Sequence, residues 1–300
     1  MEIIKVIPRG YCQGVVRAIR IARETAEQYQ GQPIYMLGMI VHNRFVVDAC
    51  EKLGIHCLES SGTSRLDLLD QIESGVVIFT AHGVSDAVVH KAAAKGLTIV
   101  DATCPDVEKT HKLIREHLAH GDVLYIGKRN HPEAEGAIGI DPRVHLISCR
   151  EDLRNCTGLR NVLITNQTTL SFLDNEALIQ ACLEMYPDAA VQAEICNATS
   201  MRQKAVMNLT DIDLLIVVGD PHSNNSNQLR EIGKKAGIPA ALLIETAEDL
   251  TEAVLAGKQR IAITSGSSTP TSLTNTVIRT LEHYAETGIF EICPLTEPIL

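Results

Sequence analysis

The chain has 300 residues, of which 45% are hydrophobic, so it can bury more than one core and should form several compact units. Only 3% of the residues are aromatic and none is Trp, a composition that favours parallel strands covered by helices. The formal net charge of −10 excludes a broad basic surface for nucleic acid. Uninterrupted apolar segments of about 18 residues are absent, and the opening MEIIKVIPRG lacks the apolar core of a signal peptide. We therefore expect a cytoplasmic protein that contacts neither nucleic acid nor membrane.

Nine cysteines stand out in a chain that we expect to occupy a reducing compartment. Their odd number and this compartment argue against a disulfide framework, so metal ligation for some and inert buried thiols for the rest remain. Spacing separates three of them, because Cys12, Cys104 and Cys196 lie 92 residues apart (104 − 12 and 196 − 104). A repeat of this length predicts three related units.

The first unit, residues 1–103, opens with the β-branched segment EIIKVIP, which predicts a strand before Cys12. The next segment, GVVRAIRIARETAEQY, has helical apolar spacing, so the thiol lies near a helix N-terminus, where partial positive charge favours a thiolate. Two further apolar segments, PIYMLGMI and VVIFTA, predict strands that end in loops containing His42 and His82.

The second unit, residues 104–195, repeats this order. Cys104 follows the segment LTIVDAT and precedes the helical segment DVEKTHKLIREHLAHG. The strand segments DVLYIGK and NVLIT then end in loops, the first with His131 and Glu133 and the second with Thr168.

The third unit, residues 196–300, begins at Cys196, after the segment AAVQAEI, and continues with the helical segment SMRQKAVMNLTD. Its strand segments DLLIVVGD and RIAITS precede two polar loops. These loops contain Ser223, Asn224, Asn225 and Ser268.

The repeat predicts an α/β fold of three units related by a pseudo-threefold axis. In open α/β sheets ligands bind outside the carboxyl ends of the strands. The loops of all three units would therefore face one crevice if the units pack around a common centre, and the three cysteines would converge there.

Three thiolates without a fourth partner in the same phase fit a cubane iron–sulfur cluster in which one iron lacks a protein ligand. That iron would be a Lewis acid open to a substrate oxygen. A zinc site is the rival interpretation, but zinc usually takes cysteines in close C-x-x-C pairs, which this chain lacks. We interpret Cys293 as a structural cysteine and the remaining five as packing residues. Those five are Cys50, Cys57, Cys149, Cys156 and Cys182.

The loops supply short, neutral hydrogen-bond donors at strand ends and helix starts, a combination that cradles phosphate without a basic surface. Each Ser or Thr taken singly is more often a helix N-cap, but their recurrence at one phase of the repeat favours a phosphate site. Glu133 is the one carboxylate among them and a candidate proton donor to a leaving hydroxyl, the alternative being a solvated acid at a helix start. The predicted phosphate-binding residues are His42, His82, His131, Thr168, Ser223, Asn224, Asn225 and Ser268.

Nine segments, in order along nearly the whole chain, resemble the (E)-4-hydroxy-3-methylbut-2-enyl diphosphate reductase family, which ends the methylerythritol phosphate route to isoprenoids. They are PRGYCQGVVRAI, VHNRFVVD, TAHGVS, VDATCPDV, HPEAEG, NQTTLS, ICNAT with RQKAV, SNNSNQL and SGSSTP. The resemblance implies a trefoil of three α/β units around a [4Fe-4S] cluster held by Cys12, Cys104 and Cys196. It also implies an oxidoreductase that uses two electrons and two protons to remove a hydroxyl group as water, forming isopentenyl and dimethylallyl diphosphate.

In the family, residues matching the predicted phosphate-binding set hold the diphosphate, and residues matching Glu133 and Thr168 handle the hydroxyl and its protons. The resemblance also implies an external flavodoxin or ferredoxin as electron donor. One loop departs from the family, since Pro221 and His222 stand where a lysine-containing sequence is usual and Asn224 replaces a serine. Three alternatives stay open: a paralogue acting on a related allylic diphosphate, a non-catalytic iron–sulfur protein that binds a phosphorylated ligand, and a zinc-dependent hydrolase.

Overall fold

The computed structural model describes residues 1–59 and 62–300 and divides into two compact units. We call them the terminal unit and the central unit. The terminal unit comprises Met1–Gln13, His42–Ala49 and Asn197–Leu300. The central unit comprises Gly14–Val41 and Cys50–Cys196.

Strands and α-helices alternate along the described chain, except that one pair of successive strands is joined through the 3₁₀ helix Arg150–Asn155. The strands are β1 (Glu2–Lys5), β2 (Ile34–Leu37), β3 (Ile55–Leu58), β4 (Val76–Phe79), β5 (Thr98–Asp101), β6 (Val123–Ile126), β7 (Val144–Ile147), β8 (Leu163–Asn166), β9 (Ala190–Val191), β10 (Leu214–Val218), β11 (Ala241–Ile244) and β12 (Arg260–Ser265). The α-helices are α1 (Gln13–Gln28), α2 (Arg44–Glu51), α3 (Arg65–Leu68), α4 (Asp86–Ala94), α5 (Pro105–Leu118), α6 (Pro132–Ile138), α7 (Phe172–Met185), α8 (Asn197–Met207), α9 (Asn224–Lys235), α10 (Glu252–Leu255) and α11 (Thr271–Thr287).

The terminal unit contains one four-stranded parallel sheet with the order β1-β12-β10-β11. Its inner strand β10 has the sequence LLIVV and is buried at every position, as expected for a parallel strand covered on both faces. Helix α11 packs Leu273 and Val277 into the same core as Ile216 and Ile263. Parallel pairing brings the carboxyl ends of β10 and β12 to one edge, where the polar loops follow.

The central unit contains two four-stranded parallel sheets, with the orders β3-β2-β4-β5 and β7-β6-β8-β9. Strands β4, β6 and β8 are buried along their whole length. Their sequences VVIF, VLYI and LITN explain this, since β-branched and apolar side chains fit both faces of a covered sheet.

The predicted fold class, α/β with three parallel-sheet units, is confirmed. Strands β1, β5 and β9, which precede the three evenly spaced cysteines, are all edge strands of their sheets. A helix begins directly after each cysteine, at Gln13, Pro105 and Asn197, as the sequence predicts. The domain bounds 1–103, 104–195 and 196–300 stay a prediction.

One strand pairs outside its predicted unit. Residues Glu2–Lys5 pair with Arg260–Ile263, so β1 completes the sheet of the third predicted unit rather than that of the first. The physical reason is the repeat itself. The strand that precedes a cysteine is the edge strand of the preceding unit's sheet, as β5 and β9 show, and for Cys12 the corresponding sheet is that of the third unit. Of the helices described, none is long and apolar enough to cross a membrane.

Candidate active site

The first polar loop of the terminal unit lies beyond the carboxyl end of β10, where α9 begins. Ser223 caps this helix, because its Oγ accepts the backbone N–H of Ser226 at 3.3 Å. Ser223, Asn224 and Asn225 are all buried. N–H groups at the start of a helix lack intrahelical acceptors and carry partial positive charge, so this helix start suits an anion.

A second polar loop follows β12 and contacts both α9 and the segment around Cys12. The Asn225 amide donates to Ser267 Oγ at 2.8 Å, and the Cys12 N–H donates to the Ser267 carbonyl at 3.0 Å. The Ser268 hydroxyl donates to the His42 carbonyl at 3.0 Å. Predicted site residues that are distant in sequence therefore meet around this loop.

Asp220 organises the turn between β10 and α9. Its carboxylate accepts the backbone N–H groups of Arg44 at 3.0 Å and His222 at 2.8 Å, and lies 3.1 Å from His222 Nδ1. The side chain of His222 is 80% exposed. The sequence analysis missed Asp220, although an acidic residue one position after Gly219 at a strand end was a signal that could have found it.

Glu133 is buried in the central unit and bonds twice to Thr168. The Thr168 N–H donates to Glu133 Oε1 at 2.6 Å, and the Thr168 hydroxyl donates to Oε2 at 3.1 Å. Burial raises the pKa of Glu133 to about 7, Asp106 also raises it, and the two bonds from Thr168 hold it down. The alternative of a solvated acid is wrong, because Glu133 is 2% exposed.

Two histidine rings pack together at the start of the helix that carries Glu133. His131 is the N-cap of α6, and its Nδ1 accepts the Glu133 N–H at 3.2 Å. Nδ1 is therefore unprotonated, and the proton of the neutral ring is on Nε2. The His82 ring packs edge-on against the His131 ring, with centroids 5.7 Å apart. The central unit thus brings His82, His131, Glu133 and Thr168 together.

The same loops hold two of the evenly spaced cysteines. The Cys104 N–H donates to the carbonyl of Ala81, the residue before His82, at 3.0 Å. The Cys196 N–H donates to the Thr168 carbonyl at 3.1 Å. Cys104 is also the N-cap of α5, so its thiol lies at a helix N-terminus as the sequence predicts.

The predicted site residues fall into two groups, and the meeting of the two groups stays a prediction. The terminal unit contains Cys12, His42, Ser223, Asn224, Asn225 and Ser268. The central unit contains His82, Cys104, His131, Glu133, Thr168 and Cys196.

The other cysteines differ in their surroundings. Burial raises the pKa of the Cys50 thiol to about 11 and those of Cys57 and Cys182 to about 12, so these thiols are poor ligands and poor nucleophiles. Burial also raises the pKa of Cys156. The interpretation of Cys149 as a packing residue is wrong, because it is exposed at the start of a 3₁₀ turn.

Cys12, Cys104 and Cys196 form no disulfide bonds and are of intermediate exposure. Thiolates are the usual ligands of iron–sulfur clusters, so this donor set fits one. Within residues 1–59 and 62–300, no group of three or more His, Cys, Asp or Glu side chains converges tightly enough to hold a metal ion. A cluster takes its thiolates on separate iron atoms, so its ligands need not converge on one point.

Comparisons with known proteins show which proteins this chain resembles. A protein from Symbiobacterium thermophilum named 4-hydroxy-3-methylbut-2-enyl diphosphate reductase is 49% identical over 290 residues, covering 95% of this chain and 98% of its own. A protein of the same name from Brevibacillus brevis is 51% identical over 292 residues, covering 95% of this chain and 93% of its own.

Two solved structures resemble the whole chain. The E-1-hydroxy-2-methyl-but-2-enyl-4-diphosphate reductase of Plasmodium falciparum matches with a TM-score of 0.88 and 29% identity, over 100% of this chain and 94% of that one. A structure described as (E)-4-hydroxy-3-methyl-but-2-enyl diphosphate reductase, the terminal enzyme of the non-mevalonate pathway, matches with a TM-score of 0.66 and 29% identity, over 94% of this chain and 100% of that one. Residues 3–282 match the family described as LytB protein, and the chain belongs to that family.

Proposed function

We propose that this protein reduces (E)-4-hydroxy-3-methylbut-2-enyl diphosphate to isopentenyl and dimethylallyl diphosphate. The observation that carries the proposal is the buried pair of Glu133 and Thr168, which holds a carboxyl group with a pKa of about 7 at the start of α6. The relatives named for this reaction support the same substrate. The reaction takes up two electrons and two protons, breaks the C–O bond of the allylic alcohol and releases water.

The three evenly spaced cysteines, Cys12, Cys104 and Cys196, would hold a [4Fe-4S] cluster. Such a cluster transfers single electrons and, with three protein ligands, offers one iron as a Lewis acid. An external flavodoxin or ferredoxin supplies the electrons, and the protein works in the cytoplasm. The even spacing of the cysteines, the absence of disulfide bonds to them and their places at helix starts support this assignment.

The diphosphate is bound without basic side chains. Helix α9 begins beyond the end of β10, and the side chains of Ser223 and Asn225 at its start are buried. The Asn225 amide bonds Ser267 on the loop after β12, which also carries Ser268. Such donors stabilise an anion through hydrogen bonds and the partial charge of the helix start. His42 lies beside Ser268, and His82 and His131 supply further ring N–H donors.

Glu133 supplies the proton for departure of the hydroxyl group. A carboxyl with a pKa of about 7 is partly protonated at neutral pH, so it can donate and be recharged within one turnover. The Thr168 N–H and hydroxyl stabilise the carboxylate that remains. The second proton of the reaction goes to the carbon skeleton. His131, which bonds the Glu133 N–H, keeps the acid at the start of α6.

One loop supports a paralogue as the second candidate. Asn224 is buried at the start of α9 where a serine is usual, and no lysine precedes it. The larger amide narrows the space available for the anion. A related allylic diphosphate with a different chain would then be the preferred substrate.

The decisive experiment is anaerobic purification followed by turnover. The purified protein should be brown, contain about four iron and four sulfide per chain and absorb broadly near 400 nm, as thiolate-bound clusters do. With reduced methyl viologen it should convert (E)-4-hydroxy-3-methylbut-2-enyl diphosphate to both products. A brown protein that reduces only other allylic diphosphates would favour the paralogue, and a colourless zinc protein would contradict the proposal.

A further inference from the structure

The side chain of Ser226 lies between two glycines at the carboxyl ends of neighbouring strands. Gly219 follows β10, Gly266 follows β12, and Ser226 is fully buried on the first turn of α9. A Cβ atom on Gly219 would overlap Ser226 Oγ and lie 2.7 Å from its Cβ. A Cβ atom on Gly266 would also overlap Oγ but would lie 3.3 Å from the Ser226 Cβ.

Glycine is required at these two positions because a larger residue would clash with Ser226, and not because of the backbone conformation. Neither Gly219 nor Gly266 has a positive φ, so an L residue could adopt either backbone conformation. The hydroxyl of Ser226 has no hydrogen-bond partner among the described residues. The serine is therefore suited to this place by its small size, and Ser226→Ala removes no hydrogen bond made by the hydroxyl to a described residue.

The two strand ends on either side of Ser226 are tied to each other. The Val218 carbonyl accepts the Gly266 N–H at 3.0 Å and the Thr269 hydroxyl at 3.0 Å. The side chain of Ser226 reaches from α9 into the space between Gly219 and Gly266 at this edge of the sheet. The size of that space therefore sets the distance between the first turn of α9 and the ends of β10 and β12.

The position of this first turn then sets the positions of Ser223 and Asn225, whose contacts with Ser226 and with the loop after β12 hold the helix start. The Ser226 N–H bonds Ser223 Oγ at 3.3 Å, and the neighbouring Asn225 amide bonds Ser267 Oγ at 2.8 Å. A shift of the helix start by a fraction of an ångström would separate Asn225 from the loop that carries Ser268.

We propose that Ser226 is a positioning residue whose seating between Gly219 and Gly266 fixes the diphosphate-binding groups of α9 and the loop after β12. The proposal rests on the function proposed above for the ligand's identity. It does not depend on that function for the seating itself, which the ligand-free protein can reveal.

The two glycines allow an asymmetric rescue experiment. The Cβ of Gly266→Ala would overlap the Ser226 hydroxyl and lie 3.3 Å from both the Ser226 Cβ and Thr269 Oγ1. Ser226→Ala in the same chain removes the overlap and leaves two contacts that a shift of a few tenths of an ångström relieves. Gly219→Ala also crowds the Ser226 Cβ, so Ser226→Ala leaves that conflict in place. Gly233→Ala is the matched control, because it crowds Leu215 farther along the same helix.

Affinity for (E)-4-hydroxy-3-methylbut-2-enyl diphosphate is measured by calorimetry on anaerobic protein without reductant. Gly266→Ala should weaken binding about tenfold, equivalent to about 1.4 kcal/mol, and addition of Ser226→Ala should restore most of the loss. Gly219→Ala should weaken binding by a similar factor in the presence or absence of Ser226→Ala. Gly233→Ala should lower the Tm and leave the affinity within about twofold.

Hydrogen exchange of residues 221–227 in the ligand-free protein provides the second measurement. Exchange should rise in Gly266→Ala, return on addition of Ser226→Ala, and stay high in both Gly219→Ala proteins. If Gly266→Ala does not fold, a folded double variant supports the seating and an unfolded one contradicts it.

Three results would overturn the proposal: unchanged affinity in Gly266→Ala, equal rescue of both glycine variants, or loss of Tm without loss of affinity. Failure of the parent to bind the diphosphate would instead overturn the proposed function, and the exchange pattern would still decide the seating of Ser226.

Discussion

Thr168 donates to both carboxylate oxygens of Glu133, through its backbone N–H at 2.6 Å and its hydroxyl at 3.1 Å. These bonds favour the carboxylate, whereas burial favours the acid, and burial wins with a pKa of about 7. A pKa of about 7 allows Glu133 to donate a proton near neutral pH. The carboxyl group and the Thr168 bonds can each be altered by a separate substitution.

Glu133→Gln should lower kcat by a factor of about 10² to 10⁴, because the amide cannot donate a proton to the departing hydroxyl. Substrate affinity should change little, since Gln keeps the shape and one acceptor for Thr168. Single-turnover kinetics with saturating reductant measures the first quantity and calorimetry the second. Glu116→Gln, on an exposed side chain, is the control. A kcat near the parent value with an intact cluster would assign the proton to another group.

Glu133→Gln should also change how stability depends on pH. The pKa of Glu133 is raised from 4.5 to about 7 in the folded protein, so between these values the folded state binds more protons than the unfolded state. Stability of the parent therefore falls as pH rises through this window, and the cost is complete above about pH 7. The Gln variant lacks this cost and should be more stable at pH 8 by up to about 3 kcal/mol.

Urea unfolding of metal-free protein at pH 4 and pH 8 tests the difference. The gain of Glu133→Gln over the parent should be small at pH 4 and largest at pH 8. A gain of equal size at both values would mean that the substitution acts through packing, and a loss at pH 8 would mean that the carboxylate is stabilised in the fold.

Cys104→Ser should reduce cluster iron and abolish turnover, because a serine hydroxyl remains protonated at neutral pH and replaces a thiolate poorly. Cys182→Ser is the matched control, since burial raises the pKa of that thiol to about 12 and removes it from ligation. Iron and sulfide content per chain gives the readout. Full iron and activity in Cys104→Ser would contradict the ligand role assigned to the evenly spaced cysteines.

Ser268→Ala should weaken substrate binding by about 1 to 3 kcal/mol, the range for losing a hydrogen bond to a charged group. The substitution also removes the bond from Ser268 to the His42 carbonyl. His42→Ala keeps that carbonyl but removes the ring proposed to bind the diphosphate, so it should weaken binding as well. Thr246→Ala is the control, because it removes a capping hydroxyl from the same unit. The cluster should survive all three changes. Unchanged calorimetric affinity in both Ser268→Ala and His42→Ala would place the diphosphate elsewhere.

Buried parallel strands made much of the fold predictable. Segments such as LLIVV and VVIF have no polar alternation, so they indicate covered strands, and the even cysteine spacing indicates three units. The pairing of β1 with β12 was not predictable, because nothing local to residues 2–5 specifies a partner more than 250 residues away.

The candidate site also has features that the sequence predicts and features that it does not. Glu133 and Thr168 follow predicted strands, so their loops could be assigned to one edge before their contact was known. The burial of Glu133 depends on packing from several elements, which a sequence pattern does not contain. Ser226 carries no distinctive motif, and only the positions of Gly219 and Gly266 in space reveal its role.

The pairing of Glu2–Lys5 with Arg260–Ile263 also determines when the segment that carries Cys12 takes its place in the fold. The first strand leaves the ribosome long before its partner, so it waits as an unpaired edge while the nascent chain grows. The Ser267 carbonyl that holds the Cys12 N–H emerges later still. Cys12 would therefore be in place to bind the cluster proposed above only after β12 has paired with β1.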